Sequence, residues 1–153
     1  MAELERTLVI VKPDGVQRAL VGEIIKRLEQ RGLRIVGLRL QHIDRELAET
    51  HYGEHQGKGF YESLVSYITS GPSVTMVLEG PDAIGVVRST VGVTRPAEAA
   101  PGTIRADYGL TVGRNLIHAS DGQESAAREV TLFFGGEVLP TYERDIDHWI
   151  LDS

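Results

Sequence analysis

The chain has 153 residues, 41% of them hydrophobic and 25% charged, with no cysteine and a net charge of −6. That is a single domain of soluble globular composition, expected to span 1–153 and long enough to bury a core without disulfide or metal staples. The acidic balance excludes a general binder of nucleic acid or anionic membranes, and the missing cysteine excludes thiolate metal sites and cysteine nucleophiles together.

Thr7 to Val11 is β-branched and apolar and stops at Pro13-Asp14-Gly15, which reads as a buried strand ending in a turn. Val21, Ile24, Ile25 and Leu28 repeat at helical spacing up to Gly32, a C-cap candidate. Leu33 to Leu40 alternates as a strand whose apolar side is Val36, Leu38 and Leu40. Asp44 caps a short helix over about 45–52. A second helix covers about 61–69 and ends at Ser70-Gly71-Pro72. Ser73 to Leu78 is a further strand, and Pro81 opens a helix over about 82–91. This order predicts an α/β layer fold with helices covering a sheet.

From Gly92 to Arg114 glycine and proline recur without periodicity, and a loop of that length points to function. Leu116 to Ala119 reads as a strand, and a helix follows from about Glu124. Val130 to Phe134 is strand-like by composition. The tail from Pro140 carries Tyr142 and Trp149 and packs across the body or a neighbouring subunit. Acids stand at the N-terminus where a signal peptide needs bases, and no apolar run reaches the ~18 residues of a membrane span. A cytoplasmic, membrane-free protein is expected. Asparagine occurs once, at Asn115, and methionine twice. Such depletion fits a thermostable protein as well as it fits chance in a short chain.

Several familiar motifs fail. Gly53 to Gly59 imitates a phosphate-binding loop but is one residue short between its glycines and has Gly where Ser or Thr must reach Mg²⁺. His51 and His55 stand four apart but lack a third metal ligand and read as a surface pair. No G-x-S-x-G elbow exists. The segment 113–122 differs, because it sets His118 among Asn115, Ser120 and Asp121 directly after a basic, hydroxyl-bearing loop. By itself His118 could be a core histidine satisfied by Ser120. In the company of Lys12, Arg88, Thr94 and Arg105 it suits nucleophilic attack on a phosphoryl group, with the cations stabilising the equatorial oxygens.

Arg6 to Val16, His51-Tyr52, Ile68 to Pro72, Pro101 to Arg105 and the Asn-x-x-His-x-Ser-Asp signature at 115–121 occur in this order. Through them the chain resembles nucleoside diphosphate kinases over almost its whole length. The resemblance implies a ferredoxin-like βαββαβ sandwich with a four-stranded antiparallel sheet covered by helices, and continues the last helix through Val130 to Phe134. It implies transfer of a γ-phosphate between nucleoside tri- and diphosphates by a ping-pong route through phosphorylated His118. Glu129 matches the carboxylate orienting that histidine, Ser120 its support, Tyr52 a neighbour of the γ-phosphate, and Lys12 a contact to phosphate and ribose. Arg88, Thr94 and Arg105 match the phosphate clamp, Asn115 the ribose contact, and Phe60 and Val112 the stack around the base. Mg²⁺ is implied as a cofactor carried by the nucleotide, with no direct protein ligand and Asp121 reaching it through water. A homo-oligomer is implied, a hexamer in preference to a tetramer. The alternative reading is a nucleotide-binding regulatory or adaptor protein of the same fold. Three departures from the family pattern stand out: Ala119 in place of Gly, Gly59 in place of Pro, and Val93 and Arg95 around Thr94.

Overall fold

The computed structural model describes residues 3–152. Its centre is an antiparallel sheet of β1 (Leu4–Val11), β2 (Arg34–His42), β3 (Pro72–Pro81) and β4 (Ile117–Ala119), in the order β2-β3-β1-β4. Helices α1 (Pro13–Gln17) and α2 (Val21–Gln30) join β1 to β2, while α3 (Arg45–His51) and α4 (Tyr61–Ile68) join β2 to β3. Then come α5 (Ala83–Val91) and α6 (Ile104–Tyr108) before β4, and α7 (Gln123–Phe134) after it. The β1-α2-β2-β3-α5-β4 order with this strand arrangement is the ferredoxin-like sandwich.

Strand alternation divides the core in two. Val9, Val11, Met76 and Leu78 face α2 and α5, where Ile24, Leu28, Ala83, Val87 and Val91 close over them. Leu8, Ile10 and Val77 face α3, α4 and α7, meeting Ala48, Val65, Ile68, Phe133 and Phe134. The register pairs Ile10 with His118 and Val9 with Ala119. His118 therefore projects on the α3/α7 side of the sheet and its neighbours on the other.

The periodicities at 21–30, 45–51 and 61–68 appear as helices, and Asp44 caps α3 through its carboxylate, which accepts from the Leu47 amide at 2.8 Å. Val130 to Phe134 lies within α7. Four readings need correction. Pro13-Asp14-Gly15 begins a helix, because proline fits the first helical position as well as a turn. Pro81 closes β3, and Asp82 (φ 53°) is the residue before α5. The 92–114 segment is not a bare loop: 3₁₀ turns at Pro96–Glu98 and Val112–Arg114 flank α6, whose N-cap Thr103 accepts from the Ala106 amide at 3.2 Å. The apolar side of β2 is broken by a bulge between Ile35 and Gly37. An extra residue in the strand reverses every later side chain. Val36 stays buried, while Leu38 and Leu40 are 54% and 68% exposed.

Candidate active site

β1 and β4 end side by side, and the turn before β4 is under strain. Leu116, fully buried, has φ 76°, and the Ile117 amide donates to the Asn115 carbonyl at 2.9 Å across it. A non-glycine residue in such a γ-turn costs on the order of 1–3 kcal/mol. The turn is held from both sides. Its Leu116 carbonyl accepts from the Lys12 amide at 2.9 Å and its amide donates to Asp14 at 3.1 Å, while Asp14 also accepts from the Tyr67 hydroxyl. This brace sets Asn115 and His118 relative to Lys12. Asp14 and Tyr67 were not singled out from the sequence; the Lys-Pro-Asp-Gly spacing was the available signal.

His118 lines a cleft of about 600 Å³ together with Lys12, Tyr52, Arg88, Thr94, Arg105 and Asn115. Its Nε2 is 2.8 Å from Glu129 Oε1, which also accepts from the Ser120 hydroxyl at 2.7 Å. Burial pushes the Glu129 carboxyl up, but the hydrogen bonds from His118 and Ser120 outweigh it and hold the group below its ordinary value. An ionised carboxylate only accepts, so Nε2 carries the proton and Nδ1 keeps the lone pair. The side chain of His118 is 21% exposed, which leaves the ring open to a reactant. Glu129 and Ser120 are buried, so neither is the surface group that an acid on an amphipathic helix or an ordinary serine usually is.

The cations are tethered to the backbone around the histidine. Arg88 donates to the Ala119 carbonyl at 3.0 Å, and Arg105 donates to the carbonyls of Gly92, Asn115 and Ile117 at 2.9, 3.3 and 2.6 Å. Lys12 Nζ donates to Asn115 Oδ1 at 2.8 Å, and Asn115 Nδ2 donates to the Thr94 carbonyl at 3.0 Å. Burial and the neighbouring Arg105 bring the Lys12 ammonium down to about 8, and burial with Arg88 brings Arg105 down to about 10. Tyr52 is pushed up to about 12 by burial and by Glu129, so its hydroxyl keeps its proton.

Phe60 and Val112 stand apart from this cleft, 50% and 46% exposed on their respective turns. Lys58 lies over the Phe60 ring at 5.7 Å and the His55 ring is 5.3 Å from it. Ala119 lies in the extended strand β4 and its φ is not positive, so the extra methyl carries no backbone strain. A Cβ at Gly59 would meet nothing within 4 Å, so the space there is open.

His51 is the site residue that the sequence reading misplaced. It is buried at the end of α3, its ring 4.7 Å from that of His118. The signal was its spacing from buried Ala48, which puts both on one helix face. His51, His118 and Glu129 hold possible ligand atoms within 4.8 Å of one another. His118 and Glu129 already satisfy each other, and Lys12, Arg88 and Arg105 make the surroundings positive, which opposes a resident cation there. Asp121 also lines the cleft, where it is exposed and accepts from the Ser125 hydroxyl at 2.5 Å. An exposed carboxylate is a hard oxygen donor, which fits a Mg²⁺ ion that a ligand would carry in.

A ferredoxin-like sheet that aims a carboxylate-held imidazole into a cleft beside Lys12, Arg88 and Arg105 is built for phosphoryl transfer, and its class is that of the phosphotransferases. The family model described as nucleoside diphosphate kinase matches residues 5–138. The nucleoside diphosphate kinase of Thermomicrobium roseum is 61% identical over 148 residues, covering 97% of this chain and 99% of the relative. That of Archaeoglobus fulgidus is 58% identical over 150 residues, covering 98% and 99%. The solved structure of the halophilic enzyme from Halobacterium salinarum, in complex with CDP, is 51% identical with a TM-score of 0.94 and covers 98% of this chain and 100% of its own. The chain belongs to the nucleoside diphosphate kinase family.

Proposed function

We propose that this chain moves the γ-phosphoryl group of a nucleoside triphosphate to a nucleoside diphosphate through a phosphohistidine at His118. The observation that carries the reading is the dyad. Glu129 accepts a 2.8 Å hydrogen bond from the protonated Nε2, which leaves the Nδ1 lone pair for phosphorus. In the first half-reaction the Nδ1–P bond forms as the bond from phosphorus to the β,γ-bridging oxygen breaks, and the nucleoside diphosphate leaves with that electron pair. The imidazole becomes cationic, and Glu129 and Ser120 hold its Nε2 side. The second half-reaction reverses these steps onto another diphosphate. Lys12, Arg88 and Arg105 stabilise the charge spread over the equatorial oxygens, with Thr94 and Tyr52 completing the phosphate contacts.

Asn115 and Lys12 hold the sugar, and Phe60 and Val112 stack on the base. Stacking needs no edge hydrogen bonds, so every base and both ribose and deoxyribose are accepted. Mg²⁺ carried on the nucleotide phosphates would neutralise their charge, and Asp121 would hold it through water. The exposed Leu38 and Leu40 on edge strand β2 and the 92–114 segment are interfaces of a homo-oligomer, and a hexamer is our reading. No described helix is long and apolar enough to cross a membrane, and a cytoplasmic location fits nucleotide substrates. With the dyad and the clamp residues all present, no observation favours the regulatory or adaptor alternative. The test is initial-rate kinetics with ATP as donor and a pyrimidine diphosphate as acceptor. Double-reciprocal lines at several acceptor concentrations will be parallel, as a substituted-enzyme intermediate requires; lines that intersect would contradict it.

A further inference from the structure

His51 is a buried imidazole that phosphoryl transfer as described above leaves without a task. Its side chain is 3% exposed, and neither ring nitrogen has a hydrogen-bond partner among the described residues. A leucine or phenylalanine would fill the same space without stranding two polar atoms, so the imidazole at this place calls for a chemical reason. The ring stands edge-on to His118 at 4.7 Å and 85°, and edge-on to Phe133 at 5.2 Å and 86°. Its Nδ1 is 4.0 Å from Glu129 Oε2. The two oxygens of Glu129 are used unequally. Oε1 accepts from both His118 and Ser120, whereas Oε2 accepts from no described residue. An unpaired donor-bearing ring therefore faces an unpaired carboxylate oxygen, about 1 Å beyond hydrogen-bond reach.

We infer that His51 is a positioning residue for the phosphorylation of His118: its Nδ1–H closes on Glu129 Oε2 when the His118 ring becomes cationic, and its edge-on ring fixes the plane of His118. This inference rests on the proposed phosphohistidine. No bond is made or broken at His51. When Nδ1 of His118 bonds to phosphorus, positive charge spreads to Nε2 and draws Glu129 toward it. A second anchor on the far oxygen keeps the carboxylate in the ring plane, so that the charge-assisted bond stays linear. His51 must be uncharged for this, since a second cation beside the phosphoimidazolium would oppose the step. The groups facing it are His118 from β4, Glu129, Arg128 and Phe133 from α7, Lys12 from the end of β1, and Tyr52 next in the chain. Burial, with the neighbouring His118, Lys12 and Arg128, outweighs Glu129 and depresses its pKa to about 3.

The test uses the full-length protein and single-turnover phosphorylation by ATP with Mg²⁺. His51→Phe keeps the aromatic contact and removes the donor. His51→Asn returns an amide nitrogen at the place of Nδ1, and His51→Gln offers one at the place of Nε2. We expect His51→Phe to slow phosphorylation about 10- to 100-fold, as loss of a hydrogen bond to a charged group would, with nucleotide KM unchanged within about twofold. His51→Asn should recover about tenfold of that loss and exceed His51→Gln. In the ¹⁵N spectrum of the wild-type phosphoenzyme, Nδ1 of His51 should carry its proton. Phosphorylation of His51→Phe at the wild-type rate, equal rates for the Asn and Gln variants, or an unprotonated Nδ1 would each overturn the inference. If the Phe variant does not fold, the Asn-to-Gln ratio and the spectrum still decide. Failure of the wild type to phosphorylate would instead refute the proposed function.

Discussion

Lys12 ends β1 with its ammonium buried against Asn115, and burial with Arg105 brings its pKa from 10.5 down to about 8. A lysine lowered in this way is charged below about 8 and neutral above it, within the working range of an enzyme. Its proposed contact to phosphate needs the charge. Because kcat/KM reports the free enzyme, we predict that it falls about tenfold per pH unit above about pH 8, and that Lys12→Gln removes this limb along with most of the activity. A pH series of kcat/KM from about 6 to 10 checks this, and a flat alkaline side would contradict it. Ala119 illustrates the opposite outcome at the same scale. A methyl beside the nucleophile is alarming in a sequence, yet in an extended strand it strains nothing.

At the scale of the element, α3 connects stability to the site. Its N-cap Asp44 holds one end of the helix, and His51 and Tyr52 at the other end form a wall of the cleft. Asp44→Ala should cost about 1 kcal/mol, read as a lower urea midpoint with an unchanged slope; an unaltered midpoint would show the cap to be idle. The same helix shows how far the sequence could be read. Its start was legible because capping is local chemistry, carried by Asp44 and the Leu47 amide. The burial of His51 was not, because it depends on α7 and β4 arriving from far along the chain. The β2 bulge was hidden for a similar reason. Val36, Leu38 and Leu40 alternate faultlessly, and only pairing with β3 inserts the extra residue that reverses the last two. In the 92–114 segment, short helical turns lack any period to read, and Arg105 fixes them by bonds to distant carbonyls. The cleft residues Lys12, Arg105, Asn115 and His118 were legible through motifs in a fixed order, and Arg88 and Thr94 through the resemblance those motifs carry, although all six come from separate parts of the fold.

For the whole molecule, a net charge of −6 coexists with a local cluster of cations inside the cleft, because Lys12, Arg88 and Arg105 are concentrated where three structural segments meet. The acidic remainder repels long polyanions, while a nucleotide samples only the cleft. Leu38 and Leu40 bring up assembly, since an edge strand with exposed leucines is an unpaired sticky edge in a lone subunit. Leu40→Lys should therefore lower the assembly state in sedimentation equilibrium, and an unchanged mass would place the interface elsewhere. The most direct measurement is isolation of the phosphorylated protein. After incubation with γ-labelled ATP and Mg²⁺, the chain should carry label that is acid-labile and alkali-stable, that added nucleoside diphosphate removes as triphosphate, and that is absent from His118→Gln. A chain that takes no label, or a His118→Gln variant that still takes it, would contradict the account.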